Sequence, residues 1–363
     1  MGGNYCLTQE QIDSFGHGYV RYASDFLEWD NVVFTHSGRS AITTAVRHLG
    51  LEGSEVLIPN FSCHSISDAF FSCNCKVGYY PINRDDLSVN VAELIGLLDE
   101  HKPAILYTCP LFGFDTLHSL RDRYQDIKGQ GISIIEDVTH SLLSGFASKE
   151  ADVVVCSLRK WLEIPDGGFI WGLKDFDVEG FYLAHQEETD VVKNFINASK
   201  LKLDYLRTGN DKLKQFFLPL FYKNNEIFDE TGISCRMSLF SHDILSHADF
   251  KEIIVRRRAN YLYLLHHIDN PLVEVIFSSL PSGAVPLYLQ IYVHNGLRDQ
   301  LQQYLVKERL YCPVVWPTPD HVLSECPAED LFFHKDILSL VIDQRYGLED
   351  MERFVQVING FRQ

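Results

Sequence analysis

Lys160 and Asp137 are the two residues whose type and position could do chemistry together in this chain. Lys160 lies in ADVVVCSLRKWLEIPDGG (residues 151–168), just past an apolar strand-like run and just before paired glycines. Strand ends in α/β proteins open onto the ligand crevice, and a lysine partly withdrawn from water loses its proton readily enough to form a Schiff base with an aldehyde. Most lysines after strands are solvated loop charges, so the position alone is a weak signal. Asp137 strengthens it. The run ISIIEDVTH (132–140) is β-branched and ends in two carboxylates, which places Asp137 at the carboxyl edge of a buried strand. Alone, Asp137 could cap a following helix. About one strand and turn ahead of a Schiff-base lysine, it reads instead as the acid that pairs with a protonated pyridine nitrogen and keeps the ring an electron sink. That pairing is the signature of pyridoxal 5′-phosphate.

Such a cofactor needs a phosphate seat, and Ser37, Gly38, Arg39 and Ser40 supply its ingredients. They precede AITTAVRHLG, in which Ala41, Ile42, Ala45, Val46 and Leu49 follow helical spacing before Gly50 stops the helix. Free backbone N–H groups and the positive dipole end at Gly38 to Ser40 suit an anion, and Ser40 and Arg39 add a hydroxyl and a guanidinium. The alternative is an ordinary N-capped surface helix. Around these residues, strand-like runs alternate with amphipathic helices: EVLIP near 55, KVGYYPI near 76, AILYT near 104, ISIIE, VVVCS and GFIWG near 168. The alternation predicts a mainly parallel sheet with helices on both faces and the cofactor elements at its carboxyl edge.

Taken together these motifs resemble the DegT/DnrJ-type sugar aminotransferases, a branch of the fold-type-I pyridoxal-phosphate enzymes. SGRSAI (37–42) is similar to the family's phosphate-binding S-G-T-S-A-L, and IPNFSCHSISDAF (58–70) to its V-P-S-F-T-F-I-A-T. EDVTH (136–140) resembles E-D-x-A-Q, which implies that Asp137 holds the pyridine nitrogen and that His140 packs on or near the ring. GISCRMS (232–238) resembles G-Y-N-Y-R-M-S, which implies that Ser234 and Arg236 reach into a partner subunit's site. The resemblance also carries a phosphate-binding role to Ser157, although the family's S-F-x-x-x-K spacing is longer than Ser157 to Lys160. Arg39 stands where a small hydroxyl residue is usual, and Ser234 at the cross-subunit asparagine. Cys63 stands at the aromatic position that stacks on the ring, leaving that face to His64 or His140. These departures mark a divergent member.

Composition bounds the rest. With 49 acidic and 32 basic residues the formal charge is −17, which argues against a nucleic-acid partner, whose phosphates reward clustered Lys and Arg. Arg256 to Arg258 read as a solvated or salt-bridged stretch of a long helix. Nine cysteines without a disulfide framework fit a reducing cytoplasm. Cys73 and Cys75, with Cys63 and His64 upstream, lack a second metal-ligand pair, so no metal is expected. The amino terminus has no basic start followed by an apolar stretch, and no apolar run approaches the ~20 residues of a membrane helix.

The expected organisation is a helical arm over 1–30, opened by a capping-box pattern from Thr8 to Gln11, and a large cofactor-binding domain over 31–237. Phe176 to Thr231, with FFLPLFY at 216–222, reads as helices and loops around the substrate mouth or dimer face. A smaller carboxyl-terminal α/β domain over 238–363 is expected to hold a long helix through Tyr263, strands at VPLYLQIYV, LYCPVVW and LSLVID, and helices near 295–308 and 348–360. The expected activity is transamination through a Lys160 Schiff base. By the resemblance, the donor is an amino acid, glutamate, and the acceptor a nucleotide-linked keto-sugar, handled by a cytoplasmic homodimer with shared sites. Two alternatives compete: a sugar dehydratase using the same cofactor or its amine form, whose relatives replace the lysine by histidine, and a non-catalytic regulatory or scaffolding relative.

Overall fold

The computed structural model describes residues 1–13, 32–230, 235–316 and 332–362. Seven strands form the central sheet: β1 (Val33–Thr35), β2 (Glu55–Pro59), β3 (Lys76–Tyr80), β4 (Ile105–Thr108), β5 (Ser133–Asp137), β6 (Val153–Ser157) and β7 (Gly168–Trp171). Their order is β1-β7-β6-β5-β4-β2-β3. Neighbours from β3 to β6 run parallel, and β7 is antiparallel to both β6 and β1. The inner strands are near-continuous apolar runs because helices cover both faces. Thus residues 105–107 of β4, Ile134 and Ile135 of β5, and residues 153–156 of β6 are buried and apolar.

After the short α1 (Gln9–Asp13) come α2 (Gly38–His48), α3 (His64–Ser72), α4 (Val91–His101), α5 (His118–Arg121) and α6 (Tyr124–Gly129) as crossover helices. Their boundaries follow local chemistry. Thr8 and Gln11 form the reciprocal capping box at α1, at 2.7 and 3.2 Å. Ser37 accepts from the Ser40 amide at 3.2 Å to start α2, and Gly50, at φ +67°, follows its end. The part of the expected arm from 14 to 31 lies outside the described residues.

Residues 176–230 form α7 (Val178–Ala184) and a helical hairpin of α8 (Thr189–Thr208) and α9 (Lys214–Glu230). The expected long helix is two, α10 (Leu239–Ser246) and α11 (Phe250–His267). Asp249 restarts the helix by accepting from the Glu252 amide at 3.0 Å. A second sheet, antiparallel and ordered β10-β9-β8, comprises β8 (Val273–Val275), β9 (Leu289–Val293) and β10 (Ile337–Leu340). It is flanked by α12 (Arg298–Lys307) and the helix Leu348–Gly360. LYCPVVW is not a strand. Only Tyr311 makes a bridge, to Gly2, and the proline that follows has no N–H for a ladder.

Arg257 differs from its reading as a solvated charge, being fully buried. It donates to Gln344 Oε1 at 3.0 Å, to the Leu287 carbonyl at 2.9 Å and to the Tyr5 hydroxyl at 2.8 Å, and lies 4.7 Å from the Trp161 ring. The chain's beginning is thereby fixed between the sheets. The Gly2 amide donates to the Tyr346 hydroxyl at 2.7 Å, Arg345 covers the Tyr5 ring at 4.1 Å, and the Leu7 amide donates to Ser199 Oγ at 3.0 Å.

The sheets meet again at Gly113, whose φ is +92°. Ser144 Oγ donates to the Gly113 carbonyl at 2.9 Å and accepts from the Val285 amide at 2.9 Å. A Cβ on Gly113 would fall 2.1 Å from the Val285 carbonyl oxygen. Gly113→Ala must therefore strain the backbone and push two backbones apart, and should destabilise the fold by about 3 kcal/mol or more. Chemical denaturation checks this; a midpoint equal to the parent's would show that the junction carries no such constraint.

Candidate active site

Asp137 closes β5, and its carboxylate is fixed on two sides. Oδ1 accepts from the Thr139 amide at 2.7 Å, and Oδ2 accepts a short hydrogen bond from the Tyr107 hydroxyl on β4. Burial raises the Asp137 pKa, opposed by these hydrogen bonds and by the nearby Lys160 charge. Lys160 ends a single 3-10 turn (Leu158–Lys160) that follows β6, the strand beside β5. Its side chain is accessible from a cavity, and desolvation by the surrounding protein lowers its pKa.

Thr139 ties the two strand ends together. Its Oγ1 accepts from the Ser157 amide at 2.8 Å, and its carbonyl accepts from Trp161 Nε1 at 2.7 Å, so the Lys160 turn is pinned on both sides to the residues after Asp137. The paired glycines pack the turn against the phosphate-seat loop. The Gly167 amide donates to the His36 carbonyl at 2.7 Å, and a Cβ on Gly168 would lie 2.7 Å from both the Cys156 and Ser37 carbonyl oxygens.

The cavity is about 430 Å³, within the range of small-molecule sites. Of the residues the sequence singles out, Gly38, Arg39, Cys63, His64, Asp137, His140, Ser157 and Lys160 all line it. Ser40 does not. Its hydroxyl is buried, 2.7 Å from His36 Nδ1. Arg236 also lies elsewhere, bridging to Thr35 and pairing with Glu187 at 3.3 Å, while Ser234 lies outside the described residues. His140 is buried, 4.9 Å from the Trp316 ring at an interplanar angle of 16°, whereas His64 is exposed at the start of α3. Burial holds the His140 pKa down at about 3, so its imidazole is neutral, and its buried Nδ1 has no hydrogen-bond partner among the described residues.

Residues without a sequence signal complete the wall. Thr139 and Trp316 come from loops, Asn225, Phe228 and Asp229 from the last turns of α9, and Arg159 from beside Lys160. Arg159 could have been noticed for its adjacency to Lys160; the α9 residues carry no motif. The Arg159 guanidinium lies 3.9 Å from the Phe228 ring centre, and burial lowers its pKa to about 10. A second cavity of about 500 Å³ shares Arg159, Lys160 and Asn225 with the first and extends toward Tyr5, Tyr288 and Arg345. Among the described residues no cluster of three or more His, Cys, Asp or Glu could hold a metal ion, and no helix is long and apolar enough to cross a membrane.

Residues 7–153 match the sequence model of the DegT/DnrJ/EryC1/StrS aminotransferase family. Over that stretch this chain resembles those aminotransferases. No curated protein sequence matches it. Among solved structures it is similar to the aminotransferase TlmJ from Streptoalloteichus hindustanus, at 16% identity and a TM-score of 0.70 over 99% of this chain and 98% of that one. It is also similar to the sugar aminotransferase CalS13 from Micromonospora echinospora, at 13% identity and a TM-score of 0.66 over 99% of each chain. The PLP form of the putative sugar aminotransferase Spr1654 from Streptococcus pneumoniae matches at 12% identity and a TM-score of 0.68, over 99% of this chain and 97% of that one. At these identities the likeness establishes the fold alone, which these structures share over nearly the whole chain.

The residues present fit pyridoxal phosphate. An amine and a carboxylate face one cavity from adjacent strand ends. Beside them, α2 begins so close to β6 that a Cβ on Gly38 would lie 3.1 Å from Ser157 Cβ. Arg39 Nε and Arg159 Nε are buried without hydrogen-bond partners among the described residues, as an anion seat would leave them.

Cys63 lines the same cavity with a thiol that its surroundings activate. Burial pushes its pKa up, but the His64 contact at 4.0 Å, the Lys160 charge and the Ser65 hydroxyl at 3.0 Å bring it down to about 7. Alkylation of Cys63, followed by peptide mass, should rise with pH to a midpoint near 7, and His64→Ala should move that midpoint up by about one unit. A parent midpoint at the ordinary thiol value of about 8.5 would mean that His64 and Lys160 do not act on Cys63.

Proposed function

We propose that this chain is a pyridoxal-phosphate-dependent aminotransferase that moves an amino group from an amino acid, glutamate, to a nucleotide-linked keto-sugar. The convergence of Asp137 and Lys160 on one cavity carries the reading. When bound, pyridoxal phosphate supplies an electron sink that makes the substrate's α C–H acidic. Lys160 Nζ is the covalent tether. Once displaced by the donor amine, it is the base that takes the proton from the substrate and returns it. Its lowered pKa favours the neutral amine this role needs. Asp137 holds the pyridine nitrogen protonated, with Tyr107 and Thr139 fixing the carboxylate's direction. Gly38, Arg39 and Ser157 hold the phosphate, and His140, backed by Trp316, packs against the ring.

The adjoining 500 Å³ cavity offers room for a substrate larger than an amino acid, in keeping with a sugar nucleotide. Retention of Lys160 favours transfer over dehydration, and the anchored Asp137 favours an enzyme over a scaffold. We read residues 31–237 and 238–363 as the cofactor-binding and small domains. The location we propose is cytoplasmic, in keeping with eight free cysteines among the described residues.

Borohydride reduction of the purified protein followed by peptide mapping should place the cofactor mass on Lys160. Label on Lys149 or Lys174 instead would sink the assignment. Asp137→Asn should retain the fold but slow donor turnover by about 100-fold or more, and a loss under about threefold would remove Asp137 as the ring partner.

We also propose a homodimer in which Ser234 and Arg236 serve the partner's site, on the resemblance of Gly232 to Ser238 to the family's crossing segment. Mixing Lys160→Ala chains with Arg236→Ala chains should then restore one working site per heterodimer. A fully active species that light scattering finds to be monomeric would end this reading.

A further inference from the structure

Arg39, the second residue of α2, is nearly enclosed, and its guanidinium is held by acids from two other helices. It makes a short ion pair with Asp229 in the last turn of α9 and lies 3.8 Å from Asp68 on α3. Asp229 is about half exposed, at 54%, against 13% for Arg39. Arg159 lines the same cavity and has no carboxylate within ion-pair distance among the described residues. It lies over the face of Phe228, one residue before Asp229. Two guanidiniums thus line a chamber in which the carboxylate paired most closely with either is that of Asp229, carried by the last turn of α9.

A desolvated guanidinium without a counter-ion is costly, and a phosphate monoester carries about −1.5 to −2 charges, enough for two. Guanidinium pairs with phosphate are frequently bidentate and stronger than an exposed carboxylate pair. Once phosphate is seated, Asp229 faces like charge at short range and loses its reason to stay.

We propose that Asp229 is a surrogate anion: it holds Arg39 in the ligand-free chain, and a phosphate monoester bound between Arg39 and Arg159 displaces it and unlatches the end of α9. The identity of that monoester as the cofactor's phosphate rests on the function proposed above. Phosphate binding and the position of α9 are then linked. Seating the phosphate releases Phe228 and Asp229 from the wall of the first cavity and Asn225 from the wall that the two cavities share.

The test compares pyridoxal 5′-phosphate with pyridoxal, which lacks the phosphate, on full-length protein stripped of cofactor. Asp229→Asn should tighten the phosphorylated aldehyde about five- to tenfold and leave pyridoxal within about twofold, since only the phosphate competes with the lost carboxylate. Arg159→Gln should weaken the phosphorylated aldehyde by about tenfold or more, again sparing pyridoxal, with circular dichroism and the melting temperature confirming the fold. In the parent, saturating inorganic phosphate should speed amide hydrogen exchange at residues 226–229. If both aldehydes shift together in either variant, or if phosphate protects 226–229, the surrogate is overturned. If the parent binds neither aldehyde while inorganic phosphate still loosens α9, the cofactor reading fails and the surrogate stands.

Discussion

Glu136 and Asp137 are consecutive carboxylates at the buried end of β5, and strand geometry sends them to opposite faces of the sheet. Glu136, with no exposed surface, pairs with Arg121 at 2.9 Å and accepts from the Tyr124 hydroxyl at 2.9 Å and the Ser148 amide at 3.2 Å. Stripping such a group of its partner typically costs about 3–5 kcal/mol. Because Glu136 is neutralised on its own side, the negative charge that β5 presents to the cavity is that of Asp137. Tyr107 from the neighbouring strand and the Thr139 amide then fix where that charge points. Had both acids shared one face, one would have to be protonated.

The same economy recurs around the cavity, where one residue often serves two elements. Thr139 joins the turn after β5 to the turn after β6 through its hydroxyl and its carbonyl, and so sets Lys160 relative to Asp137. Trp316, from the region of the second sheet, packs on His140 and also on Phe61 at 5.1 Å, continuing that sheet's core up to the cavity wall. The neutral His140 ring is thus held by apolar contact, and its partnerless Nδ1 stays directed by packing alone.

What the sequence made legible was whatever local chemistry decides. The β-branched runs at 132–137 and 153–157 are buried strands because helices cover both faces, and Lys160 falls at a strand end because paired glycines let the chain turn tightly there. Ser37 and Gly50 bracket α2 through capping. Less legible was whatever distant contacts decide. Ser40 looks like a phosphate ligand by position, but His36 takes its hydroxyl. Arg257 sits in a charged triplet, and only its tertiary partners, two backbone carbonyls, Gln344 and Tyr5, explain its burial. The α9 residues reach the cavity because a hairpin folds over it, for which 176–231 shows no periodic cue.

The segment from Gly2 to Leu7 is made before the residues that it docks against. Leu7 can find Ser199 once the hairpin exists, whereas Gly2 must wait for Tyr311 and Tyr346, and Tyr5 for Arg257 and Arg345. During synthesis, which proceeds from the amino end, all seven strands of the large sheet are available for pairing long before that segment has anywhere to dock. Its docking can therefore come only late in folding, after the second sheet has emerged, and until then the cleft holding Lys160 stands open on that side.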